Sequence, residues 1–263
     1  MAMNVNAGSS RGWVAETPQL DLSHPDIQLT AIHLTHSFAG ARERAMAIHD
    51  FVRRVPFGAF SDVSHVRASD VLRANHGDCH SKGVLFVALC RAAGLPARLN
   101  FLRITPRYLN GILEECPQSL AHAVGQVLLA GRWVSTDGYV VDPVLFARAW
   151  ELLRLGPGDS GWGIVADLSP SWDGATDCLQ QFAPEDVLHD YGPFDDAATF
   201  YEQLSHDQRA PSWVTRVAYA LTAQLVNRRA AKLREMRELG EDGVPPGPFG
   251  TDSSRPTSGT AAG

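Results

Sequence analysis

The spacing of apolar and polar positions divides the chain into helical periods at its start, extended segments in its middle and helical periods again towards its end. From His24 to Phe38, Ile27, Ala31 and Leu34 recur on one face, which predicts a helix with Ser23 as cap and Pro25 in its first turn. Gly40 separates it from a second helix, Ala41 to Val55, with Ala45, Ile48, Phe51 and Val52 as the inward stripe and Pro56 as the stop. Phe57 to Val66 reads as loop or short extended chain, and Ser69 as the cap of a short helix through Val71 and Leu72. The following run has almost no polar face: Leu85, Phe86, Val87, Ala88 and Leu89 are contiguous, Asp78 is placed to cap the start, and Gly94 stands where a helix stops. Such a helix belongs inside the molecule with its first turn open.

Leu95 to Ile104 then alternates as a strand, Leu99, Phe101 and Arg103 on one face and Arg98, Asn100, Leu102 and Ile104 on the other. Beyond a variable segment, Pro106 to Leu120, two extended runs, His122 to Leu129 and Arg132 to Asp137, flank Ala130-Gly131 and predict a hairpin. Pro143 to Leu153 reads as helix, with Asp142 as its cap. Gly156 to Gly174, rich in Gly, Ser, Asp and Trp, reads as a long surface loop. Its Trp162 and Trp172 are candidates for a pocket wall, although loop tryptophans commonly bury area against a core. Asp195 to Leu204 and Trp213 to Leu239 are the last predicted helices, the second carrying Trp213, Val217, Leu221 and Leu225 inward and a basic end of Arg228, Arg229, Lys232, Arg234 and Arg237. The expected organisation is a loose arm over 1–20, one domain over 21–239 and a disordered tail over 240–263, whose Pro, Gly, Ser and Thr content cannot support a core.

Composition narrows the function classes. A net charge of −6 argues against nucleic acid as the main partner, because neutralising phosphates takes clustered Lys and Arg. No signal-like or membrane-spanning run occurs, and Cys79, Cys90, Cys116 and Cys178 form no CxxC pair or zinc-like spacing, so a cytoplasmic location with reduced thiols is expected.

The chemistry gathers at Cys79. A thiol on the first turn of a buried helix meets unpaired N–H groups and the positive end of the helix dipole, both of which favour thiolate, the nucleophilic form. It needs a base, and the base needs an orienting group. If Ala130 and Gly131 form the turn, His122 opposes Tyr139 and Val124 opposes Asp137. His122 and Asp137 then become same-face diagonal neighbours with Cβ atoms roughly 6–8 Å apart, a gap an imidazole can bridge. Asp142 competes for the carboxylate role but stands better as a helix cap, and Lys82, His65 and His189 read as solvated or locally hydrogen-bonded.

Gly77-Asp78-Cys79, the apolar helix ending in Arg91-Ala92-Ala93-Gly94-Leu95-Pro96-Ala97-Arg98, His122-Ala123 opening a strand, and Trp133-Val134 preceding Asp137 resemble the core of the transglutaminase-like superfamily of cysteine enzymes, over roughly residues 40 to 145 and more weakly towards 190. The resemblance implies a papain-like α+β fold: a central buried helix carrying the nucleophile, packed on an antiparallel sheet that supplies base and acid, with further helices at both ends. It implies Cys79 as nucleophile, His122 as general base and acid, Asp137 as orienting carboxylate, and acyl transfer through a thioester to an amine or water. Animal transglutaminases also place a tryptophan upstream of the cysteine to stabilise the oxyanion. No Trp lies between Trp13 and Cys79, so the Cys79 N–H and the Asn75 side chain are the candidate donors. Calcium modules like theirs are not expected, nor any other cofactor or metal.

The substrate expected is a small molecule, a peptide or a carrier-bound acyl group, with no nucleic acid or membrane partner. Two other readings compete. One is a scaffold that keeps the fold without turnover; the other, less favoured, is a metal-dependent hydrolase using His76, Cys79, His80 and His122, a spacing unlike known zinc sites.

Overall fold

A computed structural model describes residues 10–166, 171–207 and 213–235, without the side chains of 10–11, 205–207 and 213–222. Helix α1 spans Pro25–Thr35 and α2 spans Ala41–Arg54. Pro25 occupies the first helical position, which makes His24 rather than Ser23 the cap; its imidazole accepts from the Asp26 N–H. Ser69 is likewise not a cap. It lies buried inside α3, Ala68–Ala74, and its hydroxyl donates to Asp21.

Helix α4, Cys79–Ala92, forms the axis of the molecule, with every residue from Cys79 to Arg91 buried. Asp78 caps it by accepting from the N–H groups of His80 and Ser81, while the Ser81 hydroxyl accepts from the Asp78 N–H. Gly94 closes the other end at φ +75°, a conformation that favours glycine.

The strands β1 (Ala97–Ile104), β2 (Leu120–Leu129) and β3 (Arg132–Thr136) are followed by α5 (Pro143–Leu155) and the two-residue strands β4 (Ser160–Gly161) and β5 (Ile164–Val165). Strand β6 (Val187–Phe194), helix α6 (Ala197–Asp207) and helix α7 (Trp213–Glu235) complete the described chain. The main sheet is antiparallel in the order β3-β2-β1-β6. Its β2–β3 turn is Ala130-Gly131 and pairs Gly125 with Thr136, the predicted register. The fold is the expected α+β arrangement, a buried helix against an antiparallel sheet with helices at both ends. Leu99, Phe101, Ala123, Val127 and Val134 join the core beneath α4, and Leu102, Ile104 and Val124 join a second cluster with Tyr108, Ile112 and Phe182.

Several expectations are corrected. The predicted loose arm is anchored at its end: Gln19 and Leu20 are buried, and Trp13 meets Trp133 edge-on with its centroid 6.2 Å away, while Val14 to Glu16 are exposed. The predicted surface loop 156–174 buries Ile164, Val165 and Trp172 and contains the β4–β5 pair. Among the described side chains of α7 the buried ones are Ala223, Val226, Ala230 and Leu233, whereas Leu225 is exposed. Its basic end is partly tied in, Arg229 to Glu114 and Arg234 to Asp142. The side chains of Trp213, Val217 and Leu221, together with Arg237 and the predicted tail, lie outside the described residues. Among the described residues no helix is long and apolar enough to cross a membrane.

Candidate functional site

The first turn of α4 carries Cys79, whose N–H, at the first helical position, has no intrahelical acceptor. Asp78 brings a carboxylate onto the neighbouring N–H groups, so the helix start is less electropositive than the sequence suggests. Two imidazoles act on the sulfur instead. Burial pushes the Cys79 thiol up, but His80 and His122 outweigh it and bring the thiol down to about 6. His80 Nδ1 lies 3.3 Å from the sulfur.

His122, near the start of β2, bonds through Nε2 to Asp137 Oδ2 at 3.0 Å, and both side chains are buried. This is the diagonal pairing expected of the hairpin register. Asp137 is spent on Nε2, which leaves Nδ1 as the ring atom available to Cys79. Burial pushes the His122 imidazole down, but the Cys79 thiolate and the Asp137 carboxylate outweigh it and raise the ring to about 10. Backbone N–H groups of Gln180 and Gln181 also bond Asp137, and its own N–H bonds the Cys178 carbonyl. This clamp from the 178–181 segment has no signature in the sequence, because the donors are main-chain groups that any residue supplies.

The other candidates are dispersed. Asn75 is an exposed C-cap of α3 at φ +50°, a backbone role that Asn tolerates, and none of the described contacts joins it to Cys79, His122 or Asp137. Trp162 lies over Gly111, where an added Cβ would stand 2.6 Å from the indole. Trp172 is buried against His49 and Phe86, its Nε1 donating to the Thr176 carbonyl. Both tryptophans therefore pack loops onto the body. Asp142 caps α5 and accepts from Phe57 N–H and Arg234. Lys82, expected to be solvated or locally hydrogen-bonded, is wholly buried, and its ammonium donates instead to carbonyls remote in sequence, those of Val55 (2.6 Å), Val140 (2.9 Å) and Arg53 (3.5 Å), pinning the end of α2 and the chain after Asp137 to α4. Burial drives its pKa well below that of an ordinary lysine.

Among the described residues no three His, Cys, Asp or Glu side chains converge as metal ligands would; His76 instead stacks on Phe60 at 4.5 Å. Two aromatic neighbours escaped sequence reasoning. Tyr108 is buried with its ring 6.2 Å from that of His122, and Tyr201 meets His80. Both come from segments whose packing partners are remote in sequence.

Residues 31–138, a span that includes all three of Cys79, His122 and Asp137, match the family model of the transglutaminase-like superfamily. Among solved structures, a candidate cysteine protease from Cytophaga hutchinsonii is 20% identical, with 50% of this chain and 42% of its own covered and a TM-score of 0.41. A candidate protease from Parabacteroides distasonis is 15% identical, with 48% and 26% covered and a TM-score of 0.33. The chain thus spans less than half the length of either structure. No curated protein matches.

Proposed function

We propose that this chain, transglutaminase-like over residues 31–138, is a cysteine enzyme that transfers acyl groups through a thioester on Cys79. The observation that carries the reading is the buried His122–Asp137 hydrogen bond of 3.0 Å beside a thiol held by imidazoles. Cys79 thiolate attacks the carbonyl carbon of an amide or thioester, and the carbonyl electron pair moves to oxygen, for which the Cys79 N–H is the candidate donor. Collapse expels the leaving group, which takes the proton of the His122 imidazolium. Neutral His122 then removes a proton from water or an amine as it attacks the thioester, and sulfur departs as thiolate. Asp137 holds the ring's tautomer through Nε2 and stabilises its cationic form.

Cys79 is only 8% exposed, which leaves a bulky acyl donor little access to its sulfur. This favours a small, peptide-like or carrier-borne acyl donor over a side chain on the surface of a folded protein. A scaffold without turnover has no use for a buried imidazole–carboxylate pair beside a depressed thiol, since burying such groups costs stability.

The test is to react the purified protein with a p-nitrophenyl acyl ester and weigh it intact. An increment equal to the acyl group, mapped to the Cys79 peptide and absent from Cys79→Ala, is the expected result. Discharge by water or by added amines then separates hydrolase from transferase. Full acylation or turnover in Cys79→Ala would overturn the assignment.

A further inference from the structure

We infer that His80 is a second catalytic imidazole on the Cys79 sulfur, held in place by Tyr201 from α6, so that thiolate formation and proton delivery are divided between two histidines. The inference rests on the reading of Cys79 as nucleophile.

The contacts are direct. His80 Nδ1 is 3.3 Å from Sγ, and its Nε2 is 3.1 Å from the Tyr201 hydroxyl. Consecutive helical side chains point about 100° apart, so this approach is not given by adjacency in the sequence. It is set by packing: the ring is buried, with Phe101 of β1 and Tyr201 of α6 each at a centroid distance of 5.7 Å. A histidine serving only to fill the core would satisfy its nitrogens with inert partners; here one nitrogen is committed to the reacting atom. The charged and titratable groups facing this ring are Cys79 of α4 and its cap Asp78, His122 of β2 and Tyr201 of α6. Burial pushes the His80 pKa down, Cys79 and Asp78 raise it, His122 opposes them, and the net direction is up. Tyr201 stays a neutral phenol, since burial pushes its pKa further up.

The two rings differ in their orienting groups, and that difference assigns their roles. His122 rests on a carboxylate, which permits it to cycle between neutral and cationic forms with compensation at Nε2. His80 rests on a neutral hydroxyl, whose oxygen accepts from Nε2–H, so that Nδ1 is the bare nitrogen facing the thiol. The thiol proton moves from Sγ to His80 Nδ1, breaking the S–H bond and forming N–H. His80 keeps that proton through the cycle, meeting the sulfur as thiolate before attack and again when the thioester C–S bond breaks. His122 carries the proton that reaches the leaving group and takes the one removed from water or amine, so the cycle closes without net gain or loss.

The experiment measures alkylation of Cys79 by iodoacetamide against pH, located by peptide mass, in the wild type, His80→Gln, Tyr201→Phe and His122→Gln. His80→Gln should move the midpoint up by about one unit or more, lowering the rate about tenfold at acidic pH. Tyr201→Phe should shift it the same way by less, and His122→Gln should lose turnover while Cys79 remains alkylated at neutral pH. A folded His80→Gln protein with an unmoved midpoint overturns the inference; if that variant does not fold, an unmoved midpoint in Tyr201→Phe does so. Wild-type Cys79 reacting no faster than Cys116 would sink the nucleophile reading itself, which keeps the two failures apart.

Discussion

At the scale of residues, a buried thiol with an acidic pKa and a buried imidazole with a basic one make a thiolate–imidazolium pair. With the Cys79 thiol brought down to about 6 and the His122 imidazole raised to about 10, the pair that the proposed mechanism uses is populated between those limits. The kcat/KM profile for an acyl ester should therefore rise through about pH 6 and fall through about pH 10. A profile rising only near 9.0, the ordinary thiol value, would show that the imidazoles do not govern the sulfur. The remaining thiols stay protonated at neutral pH, because burial raises Cys90 and Cys116 and holds Cys178 at about 11. Selective alkylation thus reports Cys79 alone. The His122–Asp137 contact of the candidate site was legible because the residue types and a two-residue hairpin register constrain it. His80 was visible as a letter but not as a contact, since its ring direction depends on Phe101 and Tyr201.

At the scale of elements, the hairpin that aligns His122 with Asp137 turns on Ala130 at φ +48° and Gly131 at φ +78°, both in the left-handed region that such tight turns need. Glycine adopts this freely, whereas alanine costs roughly 1 kcal/mol there. Ala130 is exposed, so Ala130→Asn should stabilise the protein by about 0.5–1 kcal/mol, seen as a higher urea midpoint with unchanged slope. A lower midpoint would mean that the turn is not of this type in solution. Strand β6 escaped the periodicity because Gly192-Pro193 interrupts it. Both are tolerable on an edge strand, where Pro needs no ladder N–H and Gly192 at φ +85° accompanies an irregular register against β1. Helix starts at α1 and α3 were misassigned by one or two residues, because Ser competes for cap and first-turn positions alike.

At the scale of the whole molecule, helix α7 is tied back to the segment that precedes α3. The Asn227 amide accepts from Ala59 N–H at 2.6 Å and donates to Ala59 C=O at 2.9 Å, and Arg234 bonds Phe57 C=O and Asp142. Asn227→Ala leaves both main-chain groups of Ala59 without these partners and should cost about 1–3 kcal/mol, measured as a lower urea midpoint. An unchanged midpoint would show α7 to be held by its apolar face alone, through Ala223, Val226, Ala230 and Leu233. By itself the sequence determined what is local: the buried helix and its Asp78 cap, the hairpin and its register, and thereby the alignment of imidazole with carboxylate. These follow from period, turn length and capping chemistry, which act over a few residues. Only the tertiary structure decided which groups meet across long separations: Gln180 and Gln181 clamping Asp137, Lys82 bridging three carbonyls, Trp172 turned into the core, and Tyr201 fixing His80 against the sulfur. Those contacts arise from packing between elements, and neither periodicity nor composition encodes the direction in which a side chain or a main-chain N–H is finally aimed.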